Sequence, residues 1–468
     1  MQLFKTRLRW AIVPCLPFLL AQTPAETPPQ EIVKPQEVRP LPGQLDSVPV
    51  FNSNSPELVL TEGILLSTFP PAGKRSQQAH LNFPFQGRFD IFAHHVARAE
   101  PPENLRTLYL GILLHNPGSQ TVNVDILQAA SYLSQPDAPF IQLPPVVENP
   151  DGQVYAGPGS RVMSDILRNR RQADFPASIS IPPGEYRLVL NAPIPVRELT
   201  PPLNGRSTLM RLRSSDTVYA ASLSQFARLN PDGSERAPNL AEWQQILTQG
   251  ELVTPRDRTP TPPDATGSII YGRVAGVARG SQWRANLGNP HLTIPEPGQA
   301  FSYGISTLRG GMQGTEQIQT APMLVRYPDT AYAAHGNYGI HYSLTLPLHN
   351  PTNRPQTVTV KLQTPLKEDR LSAGGLRFLD PPAAQVFFRG TVRVRYPNAQ
   401  GNPQTRFVHL VQRRGQQGEP LATLNLAGGD SQSDPSRNRA LVEIDLLYPP
   451  DATPPQVLTV ETHSLSAE

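Results

Sequence analysis

The sequence predicts an all-β protein: two related β-sandwich domains of immunoglobulin-like or jelly-roll type, with few short helices. Three observations lead there. Apolar and polar residues alternate over several short runs, the period of a half-buried strand. The 54 prolines among 468 residues are spread along the chain. Long helices do not tolerate that density, because each interior proline removes a hydrogen bond and clashes with the preceding turn. Finally, Leu-His-Asn-Pro occurs twice, at 114–117 and 348–351, 234 positions apart. Each copy follows an apolar run and precedes Gln-Thr-Val, a second Val and Leu-Gln (Gln120, Val122 and Val124; Gln356, Val358 and Val360).

Residues 1–21 predict an export signal. Lys5, Arg7 and Arg9 precede an apolar stretch at 10–20, and Ala21 is a small residue at the expected cleavage point. The apolar stretch falls short of the ~20 residues that span a bilayer, and no later run approaches that length. Cys15, the only cysteine, follows Pro14, where lipoprotein processing wants a small residue. Without residues 1–21 the chain holds 38 basic and 38 acidic side chains. Nucleic acid, which needs a basic excess on one face, is therefore not an expected partner. With no other thiol, cysteine nucleophiles, thiolate zinc sites and disulfides are excluded.

Residues 22–48 are rich in Pro, Gln and Glu and lack apolar periodicity, which predicts a flexible leader. The first sandwich is expected over 49–250 and the second over 268–468. A Pro-rich linker at 251–267, containing Thr-Pro-Thr-Pro-Pro, joins them. A single intertwined β architecture is the alternative. In the second half Tyr342, Leu344, Leu346 and Leu348 share one face, and Pro347 on the other predicts an edge strand or a bulge. Beyond the Asn-Pro turn, Val358, Val360 and Leu362 alternate with Thr and Lys. Ile179-Ser180-Ile181 answers Leu424-Asn425-Leu426, and Val442, Ile444 and Leu446 oppose Glu443 and Asp445. A short helix opens at Asn239, with Glu242 as its capping-box partner, presents Leu240, Trp243 and Ile246 or Leu247, and ends at Gly250. A second is expected over 164–171.

No nucleophile elbow, zinc-helix motif or phosphate loop is present. Gly310-Gly311-Met312-Gln313-Gly314 lacks strand-loop-helix context and reads as a hairpin loop. His94 and His95 are adjacent, so a strand turns them to opposite faces. His335 and His341 lie near Asp329 in sequence, but no metal or other cofactor is assigned. His115 and His349 are expected to hydrogen-bond the turn backbone, as are the Asn side chains of Asn116-Pro117 and Asn350-Pro351.

Arginine outnumbers lysine 36 to 5. Arg211 and Arg213 flank Leu212, and Arg393 and Arg395 flank Val394, so each pair projects from one sheet face roughly 7 Å apart. Such a face is either solvated and paired with Asp or Glu, or grips carboxylates or sulfates of an acidic polysaccharide. Trp243 belongs to the core side of its helix. Trp283, with Tyr327, Tyr332 and Tyr338, offers rings for sugar stacking or for ordinary edge packing. The candidate ligand-binding residues are thus Arg393, Arg395, Arg211, Arg213, Trp283, His335 and Tyr338.

The runs at 41–46 (Leu-Pro-Gly-Gln-Leu-Asp), 55–60 (Ser-Pro-Glu-Leu-Val-Leu), 271–277 (Tyr-Gly-Arg-Val-Ala-Gly-Val) and 335–339 (His-Gly-Asn-Tyr-Gly) resemble those of a cyanobacterial family of exported proteins defined only as a domain of unknown function. The resemblance covers about residues 39–460 and implies an envelope or extracellular setting. It brings no activity, cofactor or site residue. The expected function is that of an exported non-catalytic cell-envelope or extracellular-matrix protein, structural or ligand-binding, with envelope polysaccharide or other envelope proteins as partners. The alternative is a carbohydrate-binding or carbohydrate-active protein.

Overall fold

The computed structural model describes residues 28–428 and 437–464. The expected export signal lies outside the described residues. Strands hold 47% of the chain and helices 5%, so the all-β reading holds. Among the described residues, sheets of twelve, seven and five strands, with two two-stranded ribbons, stack in layers without closing a barrel. Among the described residues, no helix is long and apolar enough to cross a membrane.

The first half is built around one 24-residue strand, Leu203–Phe226. Its early part pairs with Phe85–Arg98 and Val122–Leu133. Its late part pairs with Leu108–His115 and Gly63–Ser67. The register breaks between Ser214 and Val218, and there the strand turns a corner from one layer into the other, as strands that switch sheets do. Phe89, Ile91, Leu110, Ile112 and Leu212 fill the space between the layers. In the second half the five-stranded sheet (Val358, Val360, Leu458, Val460) faces the seven-stranded one (Leu344, Leu346, Ile444) across a single core.

The Asn-Pro copies occupy the same place in each half. Leu108–His115 runs through the first turn into Val122–Leu133, and His341–His349 runs through the second into Gln356–Gln363. In each half a later strand pairs with the outgoing arm (Ser178–Ile181; Pro420–Leu426) and the next with the incoming arm (Tyr186–Ile194; Arg439–Leu447). Both Asn side chains are wholly buried. The Asn116 amide donates to the Gln120 carbonyl at 2.7 Å and to that of Ile181 at 2.8 Å, and its Oδ1 accepts from the Gly118 N–H at 2.9 Å. Asn350 repeats the pattern on the carbonyls of Arg354 at 2.8 Å and Leu426 at 3.2 Å and on the Thr352 N–H at 3.0 Å, and donates also to the Ala427 carbonyl at 2.8 Å. The two turns are equally long, 116–121 and 350–355, but Gln-Thr-Val starts four residues after Asn116 and six after Asn350. The position six residues after Asn, Val122 or Gln356, is where the later strand begins to pair, with Ile181 or Leu426. Gln-Thr-Val thus matches in sequence but sits two residues out of register, which the strand period of two leaves on the same face. The histidines do not serve these turns. His115 stacks on Tyr186 at 4.2 Å and contacts the Glu185 carbonyl at 3.1 Å. His349 meets Asn438 at 3.4 Å.

Several elements differ from expectation. Pro347 lies on an interior strand without a bulge. The parallel neighbours of that strand pair at 341–345 and again at 348–349, and Pro347, lacking an N–H, falls in the gap. The leader is structured from residue 30. Gln30–Pro35 pairs with Gly375–Asp380, and Glu37–Arg39 joins Ala300–Ile305, because extended Pro-rich chain becomes a strand where a sheet edge offers it partners. The 251–267 segment is pinned by Ile64 N–H to Glu251 O (2.8 Å) and Val253 N–H to Ile64 O (3.0 Å). The first sheet also continues past it. Ala275–Arg279 pairs with Pro49–Ser53 and with Ala321–Arg326. The helix expected at 164–171 spans Pro158–Leu167, with Pro158 fitting its first turn. The helix Leu240–Gln249 carries the expected Asn239–Glu242 capping box.

Candidate functional site

Where the first sheet passes from one half of the chain to the other, a cavity of about 190 Å³ opens. Pro49–Ser53 supplies its floor. Alternation turns Phe51 into the first core and Ser53 toward His95, leaving Asn52 facing the cavity, with Asn54 two residues on. Both Asn residues are 4% exposed, and neither carbonyl oxygen has a protein donor within hydrogen-bond distance.

The opposite wall is the loop 334–340. Asn337 holds it in the left-handed region (φ 49°). Its amide donates to Gln319 O and to the Tyr342 hydroxyl, both at 3.0 Å, while its Oδ1 accepts from the Ala321 N–H at 3.1 Å. This clamp presents His335 and Tyr338. Gly336 is required by contact: a Cβ there would stand 2.4 Å from the Tyr338 ring. The Tyr338 hydroxyl reaches the Ala452 carbonyl at 3.3 Å.

Lys367, on the loop after Gln356–Gln363, closes one side. Its ammonium donates to the Tyr271 hydroxyl at 2.6 Å and lies 4.3 Å from that ring's centroid. The phenol donates onward to the Arg309 carbonyl at 2.6 Å. Gly311 lets the lysine stem pass, since a Cβ there would lie 2.9 Å from Lys367 Cε. The 310–314 turn thus supports the cavity wall and docks on 367–371 through Met312 N–H to Asp369 Oδ1 (3.1 Å). Burial brings the Lys367 ammonium down to about 8, opposed by the charge of Asp369. Burial, reinforced by Lys367, brings the His335 imidazole to about 4, so it stays neutral. Burial raises the Tyr338 phenol to about 12. Arg273 also reaches the wall but is engaged by Glu57 and, at 3.9 Å, by Asp257. Among the described residues, no Asp or Glu lines the cavity.

Of the seven candidates read from the sequence, the cavity brings together two, His335 and Tyr338. Three of the four arginines face acidic partners. Arg393 bonds Asp445 at 2.9 Å and Arg395 bonds Glu443 at 3.1 Å, directly across the strand pair. Asp445 also holds His341 at 2.9 Å. Arg211 lies 3.7 Å from buried Asp90, and Arg213 stands opposite Arg88. Trp283 is 5% exposed, so its ring is not offered for stacking. Its indole N–H donates to the Pro42 carbonyl at 2.8 Å beneath the ordered leader. Tyr327 is buried and bonds Ala79 O at 2.7 Å, and Tyr332 carries Arg326 on its face at 3.9 Å.

Sequence reasoning missed Asn52, Asn54, Tyr271 and Lys367. The available signal was the rarity of lysine. Elsewhere, Ser53, His95 and Ser222 form a hydrogen-bonded chain (2.9 and 2.7 Å) resembling a nucleophile–base pair. It is sealed in the interior, and burial holds His95 near 4. Among the described residues, no three His, Cys, Asp or Glu side chains converge as a metal ion requires.

The profile of the family described as "Protein of unknown function (DUF3370)" matches residues 36–462. The chain belongs to that family. Among curated proteins none matches it. Two of the runs that carry the family resemblance, 271–277 and 335–339, contribute walls of the cavity.

Proposed function

We propose that this DUF3370 member is an exported, non-catalytic binding protein of the cyanobacterial cell envelope or extracellular matrix, and that it holds a sugar unit of envelope polysaccharide in the junction cavity. One observation carries the reading. Two buried amides, a lysine and the Tyr271 and Tyr338 rings converge on a cavity of about 190 Å³. Small-ligand sites combine apolar and aromatic walls with a few placed polar groups in this way. An engineered cavity of about 150 Å³ holds benzene, so this one has room for one six-membered ring with small substituents. Glycoside hydrolysis uses a carboxylate pair flanking the bond, and among the described residues no carboxylate lines this wall. Retention rather than turnover is the function such a wall supports.

The test is a monosaccharide screen by ligand-observed NMR on the wild type and on Thr453→Trp. Thr453 is an exposed wall residue, so an indole there blocks the mouth and leaves the core intact. Binding lost in the variant is expected. Binding of the same sugars by both proteins would place the ligand elsewhere.

A further inference from the structure

We infer that the ligand of this cavity is acidic, a uronic-acid-type sugar whose carboxylate is held by the Lys367 ammonium and whose hydroxyls donate to the amide oxygens of Asn52 and Asn54. The inference rests on the cavity being the binding site and goes further by fixing the ligand's charge and orientation.

Three facts carry it. The first is a cation with no carboxylate in contact. Among the described residues Lys367 forms no salt bridge: its Nζ donates to the neutral Tyr271 hydroxyl at 2.6 Å, and Asp369, whose charge acts on it from beyond contact, accepts from the Met312 N–H. The other wall cation, Arg273, is already neutralised by Glu57. A partly buried ammonium with no carboxylate in contact favours an anionic ligand, because ion pairing strengthens where water is scarce. The second is the polarity of the floor. The carbonyl oxygens of Asn52 and Asn54 are acceptors without protein donors, which suits hydroxyl groups and not a second carboxylate. The third is shape. Tyr271 and Tyr338 contribute aromatic rings to the wall, and the cavity's volume suits one ring. A small aliphatic acid would satisfy the lysine alone. A neutral sugar would satisfy the amides alone.

Calorimetric titration of the full mature chain at pH 7 would compare galacturonate, galactose, acetate and trigalacturonate. Galacturonate should bind about ten-fold or more tighter than galactose or acetate, since a charge-assisted hydrogen bond is roughly twice as strong as a neutral one. Trigalacturonate binding more tightly than the monomer would identify a polysaccharide as the source, and equal affinities would identify the free sugar acid. Lys367→Met should erase the preference for galacturonate over galactose, and Lys367→Arg should keep part of it.

A second readout uses the wild type alone. Near pH 8, to which burial brings Lys367, carboxylate binding should take up protons, measured from heats in buffers of different ionisation enthalpy. Galactose binding as tightly as galacturonate, or galacturonate binding with no proton uptake, would overturn the acidic-ligand inference and leave the cavity reading standing. If none of these sugars binds in a manner abolished by Thr453→Trp, the cavity reading itself fails, and the inference with it.

Discussion

Replacing Asn350 by alanine removes the side chain that ties three segments together at the second Asn-Pro turn. The amide donates to two carbonyls at 2.8 Å, one of them, Ala427 O, on the neighbouring strand connection. Its Oδ1 accepts from the Thr352 N–H at 3.0 Å and the Thr352 hydroxyl at 2.8 Å. At about 1 kcal/mol net per hydrogen bond, with a further cost for buried carbonyls left unpaired, the loss should be about 3–5 kcal/mol. Asn116 makes three such bonds, so Asn116→Ala should cost about 2–4 kcal/mol. Asn350→Asp keeps the acceptor but points a charged oxygen at two carbonyls, so it should be no better than alanine. Ser119→Ala, on the exposed tip of the first turn, should change stability by less than about 0.5 kcal/mol. The assay is guanidinium unfolding followed by far-UV circular dichroism, read from the shift in midpoint at unchanged slope. If Asn350→Ala unfolds within about 1 kcal/mol of wild type, the Asn side chain is not what fixes the repeated turn, and the reasoning from its hydrogen bonds is wrong.

Three further outcomes follow from the packing. His409 is buried and held near 4 by burial and, secondarily, by Arg389. The unfolded chain therefore binds more protons between pH 6.5 and 4, and the stability due to neutral His409 is full above 6.5 and lost as pH falls. Relative to His409→Gln, the wild type should lose up to about 1.4 kcal/mol per pH unit below 6.5, and parallel unfolding curves from pH 7 to 5 would refute this. Gly111 faces the Trp243 ring so closely that an added Cβ would lie 2.7 Å from it. Gly111→Ala should destabilise by about 1–3 kcal/mol through overpacking and shift Trp243 fluorescence, whereas an unchanged spectrum would contradict the contact. Removing residues 28–36 strips the strand whose Glu31 grips Arg377 at 2.6 and 2.7 Å. It should raise proteolysis within 370–380, and an unchanged digestion pattern would show the pairing to be inconsequential.

The sequence revealed what period and turn chemistry control. Tyr342, Leu344, Leu346 and Leu348 announced a strand because burial on one face imposes a period of two. Asn239 and Glu242 announced a helix start because the cap is local. The repeated Asn-Pro dipeptides marked equivalent turns because the Asn side chain bonds its own backbone two residues on. What stayed hidden depended on distant pairing. Nothing local tells that Gln30–Pro35 borders Gly375–Asp380, or that Ala275–Arg279 extends the first sheet. The paired arginines show the same limit: Arg393 looks free until Asp445 is placed across the strand. The cavity draws Asn52, Tyr271, His335 and Lys367 from widely separated positions, so no spacing could reveal it. His335 and Tyr338 were singled out for their chemistry, and the fold decided which of the candidate rings reached the cavity.

A crystal structure of the protein soaked with galacturonate tests the central claim most directly. Ligand density is expected in the junction cavity, with the carboxylate at hydrogen-bond distance from Lys367 Nζ and hydroxyls facing Asn52 and Asn54. Density on the Arg393–Arg395 face beside an unfilled cavity would contradict it.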